Sequence, residues 1–438
     1  LRMSRGLGDV YKRQIHANVW IGYDTDEILE NQTVLINNEV IEKIVPDGAS
    51  IPSDFQVVDL KGQYLLPGLI NLHAHLFGTG KPSKTLGGGG SQKALMKFVH
   101  SPLGKPVIDK MVKEHALTAL HSGVTTIRSS GDFVYSDVRI RDKINRDEIL
   151  GPRLLVPGPA ITCVGGHGDG TFAVTSNDPQ TLASYVDENY NHHVDCIKIC
   201  VTGGVMDAKV KGEPGVVKMN LEQVRAVCQR AHDYGYQVAS HTESSQGIRI
   251  ALEGGVDTIE HGSFLDDELI ALFKERQSAF IVTTSPALPL ARLSPEITKL
   301  NDLCVYNSEV VLKGMIDGAK KALANDIPVG LGTDESCPLV TAYNMWREIY
   351  YFHKFYDVSN AFALHTATLG NAKIIGLSEE IGSIEIGKCA DLIVVKENPL
   401  EDLKRLKDIQ MVMVRGHLID KPTYQNLPQV DEWLDSLL

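Results

Sequence analysis

The feature that most constrains this chain is a rhythm of short apolar runs separated by amphipathic stretches. Eight runs read as strands: "LINLHAH" (69–75), "VTTIRS" (124–129), "RLLVPGP" (153–159), "CIKICV" (196–201), "QVASHT" (237–242), "DTIEHG" (257–262), "AFIVTT" (279–284) and "PVGLGTD" (328–334). Helical periodicity occupies intervening stretches such as 107–121, 221–233, 245–253 and 308–324. Strands alternating with helices are the pattern of a parallel sheet. Eight such units over roughly 300 residues predict an α/β chain built on a (β/α)8 TIM barrel with insertions, here over 67–378. A doubly wound open sheet is the alternative. It lacks positive support, because no G-x-G-x-x-G opens a helix after a strand.

The two ends of the chain follow a different pattern. "NQTVLINNEVIEKIVP" and "FQVVDLKGQYLLPG" near the start are short strands broken by turn residues. "GSIEIGKCADLIVVK" (382–396) and "QMVMVRGHLI" (410–419) repeat the style near the end. Segments 15–66 and 379–438 are expected to combine into one small β-sandwich domain. The opening "LRMSRGLGDVYKRQ" (1–14) has basic residues but no apolar core, so it does not read as a signal peptide. It is expected to be a non-native scar or a disordered segment outside the fold.

The net charge is −12, which argues against a nucleic-acid or anionic-membrane surface. No apolar run approaches the ~20 residues that span a bilayer. The seven cysteines are odd in number and irregular in spacing, so no disulfide framework is suggested. Cytoplasm is the default compartment; a periplasmic or secreted location remains open if residues 1–14 replace the native start. A homo-oligomer is compatible with the sequence.

In a barrel, chemistry collects where strands end. The first expected strand ends in His73 and His75, an H-x-H pair whose imidazoles share one face and suit one divalent ion. The fourth carries Lys198 inside an apolar run, where a charged amine is costly unless paired or neutralised. The fifth and sixth end near His241 and His261, and the eighth ends in Asp334. Each alone has a structural explanation, such as a hydrogen-bonded core histidine or a helix cap. Together, at the same ends of one set of strands, they point to a metal site. Cys196 and Cys200 share the face of Lys198 and read as core packing rather than thiolate ligands.

The motifs "PGLINLHAHL", "IKICVTGG", "ASHTES", "TIEHG", "GLGTDES" and "GSIEIGKCADLIVV" resemble the amidohydrolase superfamily of binuclear-metal type. Within it the chain looks closest to the prolidase-like, Xaa-Pro dipeptidase branch, which includes zinc carboxypeptidases for C-terminal arginine and lysine. The resemblance implies two divalent ions, zinc by default. It implies that His73, His75 and Asp334 bind the more buried ion and His241 and His261 the more exposed one. It also implies that Lys198 is carboxylated by CO2 and bridges both, with a hydroxide as second bridge. A lysine inside a barrel has a depressed pKa and so offers free amine to CO2.

The implied reaction is attack of hydroxide on an amide, with Asp334 carrying the proton to the leaving amine. His167, in "CVGGHGDG", is a candidate to stabilise the oxyanion. Arg128 and the amides of Gly203 and Gly204 are candidates for a substrate carboxylate. Asp169, Asp207, Glu213, Glu243 and Glu335 are candidate acids for a basic side chain, with Glu243 foremost. The expected substrate is a small peptide or N-acyl amino acid cleaved at its C-terminal residue, with arginine or lysine the best guess. Alternatives are an Xaa-Pro dipeptidase, an imidazolonepropionase-like cyclic amidohydrolase with one metal, and a non-enzymatic scaffold; Lys198 and the complete ligand set argue against the last two.

Overall fold

The computed structural model describes residues 11–49, 56–82 and 90–438. Parts of the expected terminal segment (1–10), β domain (50–55) and barrel (83–89) lie outside the described residues. Each of the eight apolar runs contains a strand, and the architecture is mixed α/β with parallel sheets.

The N-terminal part holds β1 (Tyr11–Val19), β2 (Leu29–Asn37), β3 (Val40–Pro46), β4 (Gln56–Asp59) and β5 (Tyr64–Pro67). The parallel core follows as β6 (Leu69–Ala74), β7 (Val124–Ser129), β8 (Arg153–Leu155), β9 (Ala160–Thr162), β10 (Ala173–Thr175), β11 (Ile197–Cys200), β12 (Val238–Thr242), β13 (Thr258–His261), β14 (Ala279–Val282) and β15 (Val329–Leu331). The chain then returns to the first part as β16 (Leu392–Val395), β17 (Ile409–Val414) and β18 (His417–Asp420).

One parallel sheet runs β6-β7-β8, and a second runs β10-β9-β11-β12-β13-β14-β15. The expected third strand, "RLLVPGP", is split. Proline cannot donate to a ladder, so Pro157-Gly158-Pro159 ends β8. The chain re-enters as β9, so β8 pairs with β7 while β9 pairs with β11. Backbone bonds also link the two sheets. The Asp195 amide donates to Val156 O at 2.8 Å, and the amides of Thr333 and Asp334 both donate to His73 O at 3.0 and 2.8 Å. Asn71 and Asn371 reinforce the second seam. Asn71 Oδ1 accepts from the Thr333 amide, and Asn371 Nδ2 donates to both Ile70 O and Leu331 O.

Helices pack outside the strands with their apolar stripes inward. The helix Leu221–Asp233 starts in a capping box between Asn220 and Gln223 and buries Val224, Val227, Cys228 and Ala231. The helix expected at 308–324 begins earlier, at Asp302, because Asn301 caps it.

The terminal segments form one eight-stranded sheet in the order β18-β17-β16-β5-β1-β2-β3, with β4 paired to β1. This corrects the two-sheet sandwich. The single sheet curls until the start of β3 meets the chain before β16: Ile41 N donates to Lys388 O, and Ala390 N to Glu39 O. The curl encloses Val19, Val34, Ile36, Leu65, Leu392, Val394 and Met413. Tyr11–Gln14, expected outside the fold, lie within β1 and pair with β2. The helix Pro428–Asp435, expected with the β domain, instead packs Val430 and Leu434 on Leu290, Leu293 and Leu339. Asp431 and Asp435 pair there with Arg347. Among the described residues no helix is long and apolar enough to cross a membrane.

Candidate metal centre

The structure brings His73, His75, Lys198, His241, His261 and Asp334 together in one buried cluster at the C-terminal ends of the parallel strands. His73 and His75 approach the same atom, Asp334 Oδ1, at 3.2 and 3.6 Å from their Nε2 atoms. The His73 ring centroid lies 4.8 Å from that of His261, which lies 4.6 Å from that of His241. Among the described residues two groups offer ligand atoms within 4.8 Å of one another: His73, His261 and Asp334, and His241, Glu243 and His261. His261 therefore stands between the groups, a closer mixing than the two separate sets implied by the resemblance.

Local backbone geometry aims these side chains. His261 and Asp334 both adopt left-handed φ, +64° and +55°. Such a conformation costs a non-glycine residue roughly 1–3 kcal/mol and persists where the surroundings enforce it. Gly332 supplies close approach. A Cβ there would stand 2.4 Å from His73 Cβ, so only glycine lets the eighth strand end pack against the first.

The electrostatics favour neutral donors around the cluster. Burial lowers His73 to about 4 and His75 to about 3, and drives His241 and His261 well below the usual imidazole range. Burial would raise Asp334, but the neighbouring His73, His261 and His75 outweigh it and hold the carboxyl well below its ordinary value. Neutral imidazoles with a carboxylate are the donor set a divalent cation takes. On this chemistry the residues fit the implied metal.

Orienting contacts complete the cluster. His75 Nδ1 faces Gly131 O at 3.0 Å, and His261 Nδ1 faces Thr283 Oγ1 at 2.7 Å. Hydrogen bonds on the far ring nitrogen of this kind fix tautomer and ring angle. Cys337 Sγ donates to Asp334 Oδ2 at 3.2 Å.

Lys198 is 2% exposed, and its Nζ contacts the carboxylate of Glu260, which is 0% exposed. Glu260 also receives Arg128 Nη2 at 3.3 Å and lies 3.1 Å from His73 Nδ1. Burial lowers the Lys198 ammonium to about 8. Burial pushes Cys196 and Cys200 up to about 12, so both remain thiols. Glu260 escaped the sequence reading. It stands beside His261 in "TIEHG", and neighbours along a regular strand face opposite ways. The left-handed turn at His261 breaks that alternation.

His167 stacks on His241 with centroids 4.1 Å apart and rings 3° from parallel. Its Nδ1 meets Asp207 Oδ2 at 2.5 Å. Asp207, which burial alone would raise, is held below its ordinary value by that bond. Asp207 was expected only as one acid among five.

Three expected substrate contacts are corrected. Arg128 is buried, with Nε spent on Leu72 O and Nη2 on Glu260, so it does not present a cation to a ligand. The Gly203 and Gly204 amides already donate to Val216 O and Asp207 Oδ2. Gly204 serves by its lack of a side chain, since a Cβ would come 3.3 Å from both His167 and His241. Among the expected acids, Glu335 is fully buried and faces His115 rather than the mouth. Asp169 is spent on its own loop through the Gly165 amide. Glu243 does reach the centre. Its Oε2 is buried without a partner, and burial, with Asp334 and Asp207 nearby, raises it to about 8. Lys218, unremarked in the sequence, is half-buried, and its Cε lies 3.2 Å from where a Gly203 Cβ would stand.

Residues 64–419 match the model of the amidohydrolase family. Ochratoxinase from Aspergillus niger is 24% identical over 432 residues, covering 91% of this chain and 84% of its own length. A Bifidobacterium longum protein assigned as a prolidase is 38% identical, with a TM-score of 0.86 and 98% of each chain covered. A Xaa-Pro dipeptidase with methionine bound in its active site is 28% identical, with a TM-score of 0.81, covering 94% of this chain and 100% of that one. The chain belongs to the amidohydrolase family, in its prolidase-like branch.

Proposed function

We propose that the protein is a metal-dependent carboxypeptidase or dipeptidase that hydrolyses the amide bond to a C-terminal amino acid, best fitted to arginine or lysine. We further read the two parallel sheets as one closed (β/α)8 barrel, supported by the backbone bonds at both seams. The observation that carries the function is the convergence of four histidines, Asp334 and Lys198 in a single buried cluster.

His73, His75, His241, His261, Asp334 and a carboxylated Lys198 would hold two divalent ions, zinc by default. Ions bound there would polarise the scissile carbonyl and lower the pKa of a bound water. The remaining steps fall to the chain itself. Asp334 accepts a proton from the attacking water and passes it to the departing nitrogen; the Cys337 thiol holds its second oxygen meanwhile. His167, its ring held through Nδ1 by Asp207, is the group placed to face the carbonyl oxygen with Nε2 as charge develops.

The flank beside His167 and His241 carries the amine of Lys218 and the carboxyl of Glu243, which burial keeps protonated until a cation pairs with it. Lys218 suits the α-carboxylate of the leaving residue, and the unpartnered oxygen of Glu243 suits its cationic side chain. The test is a panel of N-acyl amino acids and dipeptides varied at the C-terminal residue, assayed with the zinc-loaded enzyme. Release of C-terminal arginine or lysine at the highest kcat/KM is expected. Release of no amino acid from any member would overturn the proposal.

A further inference from the structure

Three phenylalanines from three different strand-end loops meet beside the metal centre. Phe77 follows β6 two residues after His75, Phe133 lies beyond β7, and Phe172 lies between β9 and β10. The Phe77 and Phe133 ring centroids are 4.4 Å apart, and Phe77 and Phe172 stack at 6.0 Å. His75 lies 5.3 Å from Phe77 and 4.9 Å from Phe172, and His167 lies 5.7 Å from Phe172. The cluster thus touches both a candidate ligand and the candidate oxyanion donor.

These rings are not ordinary core. All three are half-buried, whereas Phe273 and Phe280 in the barrel wall are fully buried. Phe77 and Phe172 belong to none of the four apolar cores. The backbone makes room for them. Gly131 and Gly168 have φ of +113° and +80°, and a Cβ at either would come within 3.1 and 2.8 Å of the Phe172 ring. Half-exposed rings held against a reaction centre offer apolar area and ring faces that a ligand can cover.

We propose that Phe77, Phe133 and Phe172 form the subsite for the acyl side of the substrate, and that it takes an apolar, preferentially aromatic, acyl group. The inference rests on the reading of the centre as an amide hydrolase. The acyl side is assigned because the leaving amino acid carries charge. The partners proposed for it, Glu243 and Lys218, come from the segments after β12 and β11, whereas the rings come from those after β6, β7 and β9.

The test uses the metal-loaded enzyme and one C-terminal amino acid carrying an acetyl, branched aliphatic, succinyl or 3-phenylpropanoyl group. The phenylpropanoyl substrate is expected to exceed the acetyl one in kcat/KM by about ten-fold or more. Phe172→Leu, which keeps an apolar side chain, should pull the aromatic-to-aliphatic ratio toward one, and Phe77→Ala should do the same. An unchanged ratio in both variants, or a wild type that turns over the acetyl and phenylpropanoyl substrates equally well, would overturn the assignment. If the wild type turns over no amide, the hydrolase reading fails by itself. Calorimetric binding of 3-phenylpropanoate then decides on the subsite: about ten-fold weaker binding by Phe172→Leu supports it, and equal binding rejects it.

Discussion

Lys198 and Glu260 contact each other in a space closed to solvent, with Arg128 on the other oxygen of the same carboxylate. A buried ion carries an effective penalty of several kcal/mol, offset here by paired opposite charges. The arrangement accounts for a lysine inside an apolar strand. It also means that carboxylation of Lys198, as proposed, would have to take the amine away from Glu260, which would keep Arg128.

Glu260→Gln should therefore weaken the fold as well as the site. It leaves Arg128 buried beside a neutral amide, and breaking a buried pair costs about 3–5 kcal/mol. Urea unfolding of the metal-free protein should show a lower midpoint with an unchanged slope. An unshifted midpoint would mean that the Lys198–Glu260–Arg128 group contributes nothing net.

The depressed histidines set a pH dependence for the metal-free protein. His73 near 4 and His75 near 3 are neutral when folded but titrate near 6.5 when unfolded. Their contribution is present above 6.5 and is lost as pH falls toward the folded values. Between pH 7.5 and 5 each ring should subtract about 2 kcal/mol. Denaturant titrations in chelator at the two pH values check this; equal unfolding free energies would contradict the burial of neutral rings.

Gly332→Ala tests the contact between the first and eighth strand ends. The added methyl would need the space of His73 Cβ, at 2.4 Å. Overpacking of this kind typically costs 1–3 kcal/mol. Metal affinity should fall at least ten-fold with the helices intact by circular dichroism. Full affinity would show that the strands separate without disturbing His73.

Lys218→Gln addresses the leaving residue. If the ammonium receives the α-carboxylate, KM should rise about ten-fold or more for substrates with a free carboxylate, and little for their C-terminal amides. An equal change for both would remove Lys218 from recognition.

Much of this organisation was legible in the sequence. The eight apolar runs each contain a strand, because period and composition suffice for a buried parallel strand. The six clustered residues stood out because strand ends are where polar groups break an apolar run. The split third strand was hidden by an apolar stretch that its prolines interrupt. Glu260 was hidden by the left-handed turn at His261, and Arg128 by a partner 132 residues away. The phenylalanine cluster joins loops distant in the chain, and no local period announces such a meeting.

The central claim is that Lys198 and the His/Asp cluster hold two metal ions. Metal stoichiometry tests it most directly: wild type and Lys198→Ala, each stripped by chelator, reconstituted with zinc and bicarbonate, and measured by inductively coupled plasma mass spectrometry. Two ions per chain in the wild type and one or fewer in the variant are expected. Two ions retained by Lys198→Ala would contradict the account.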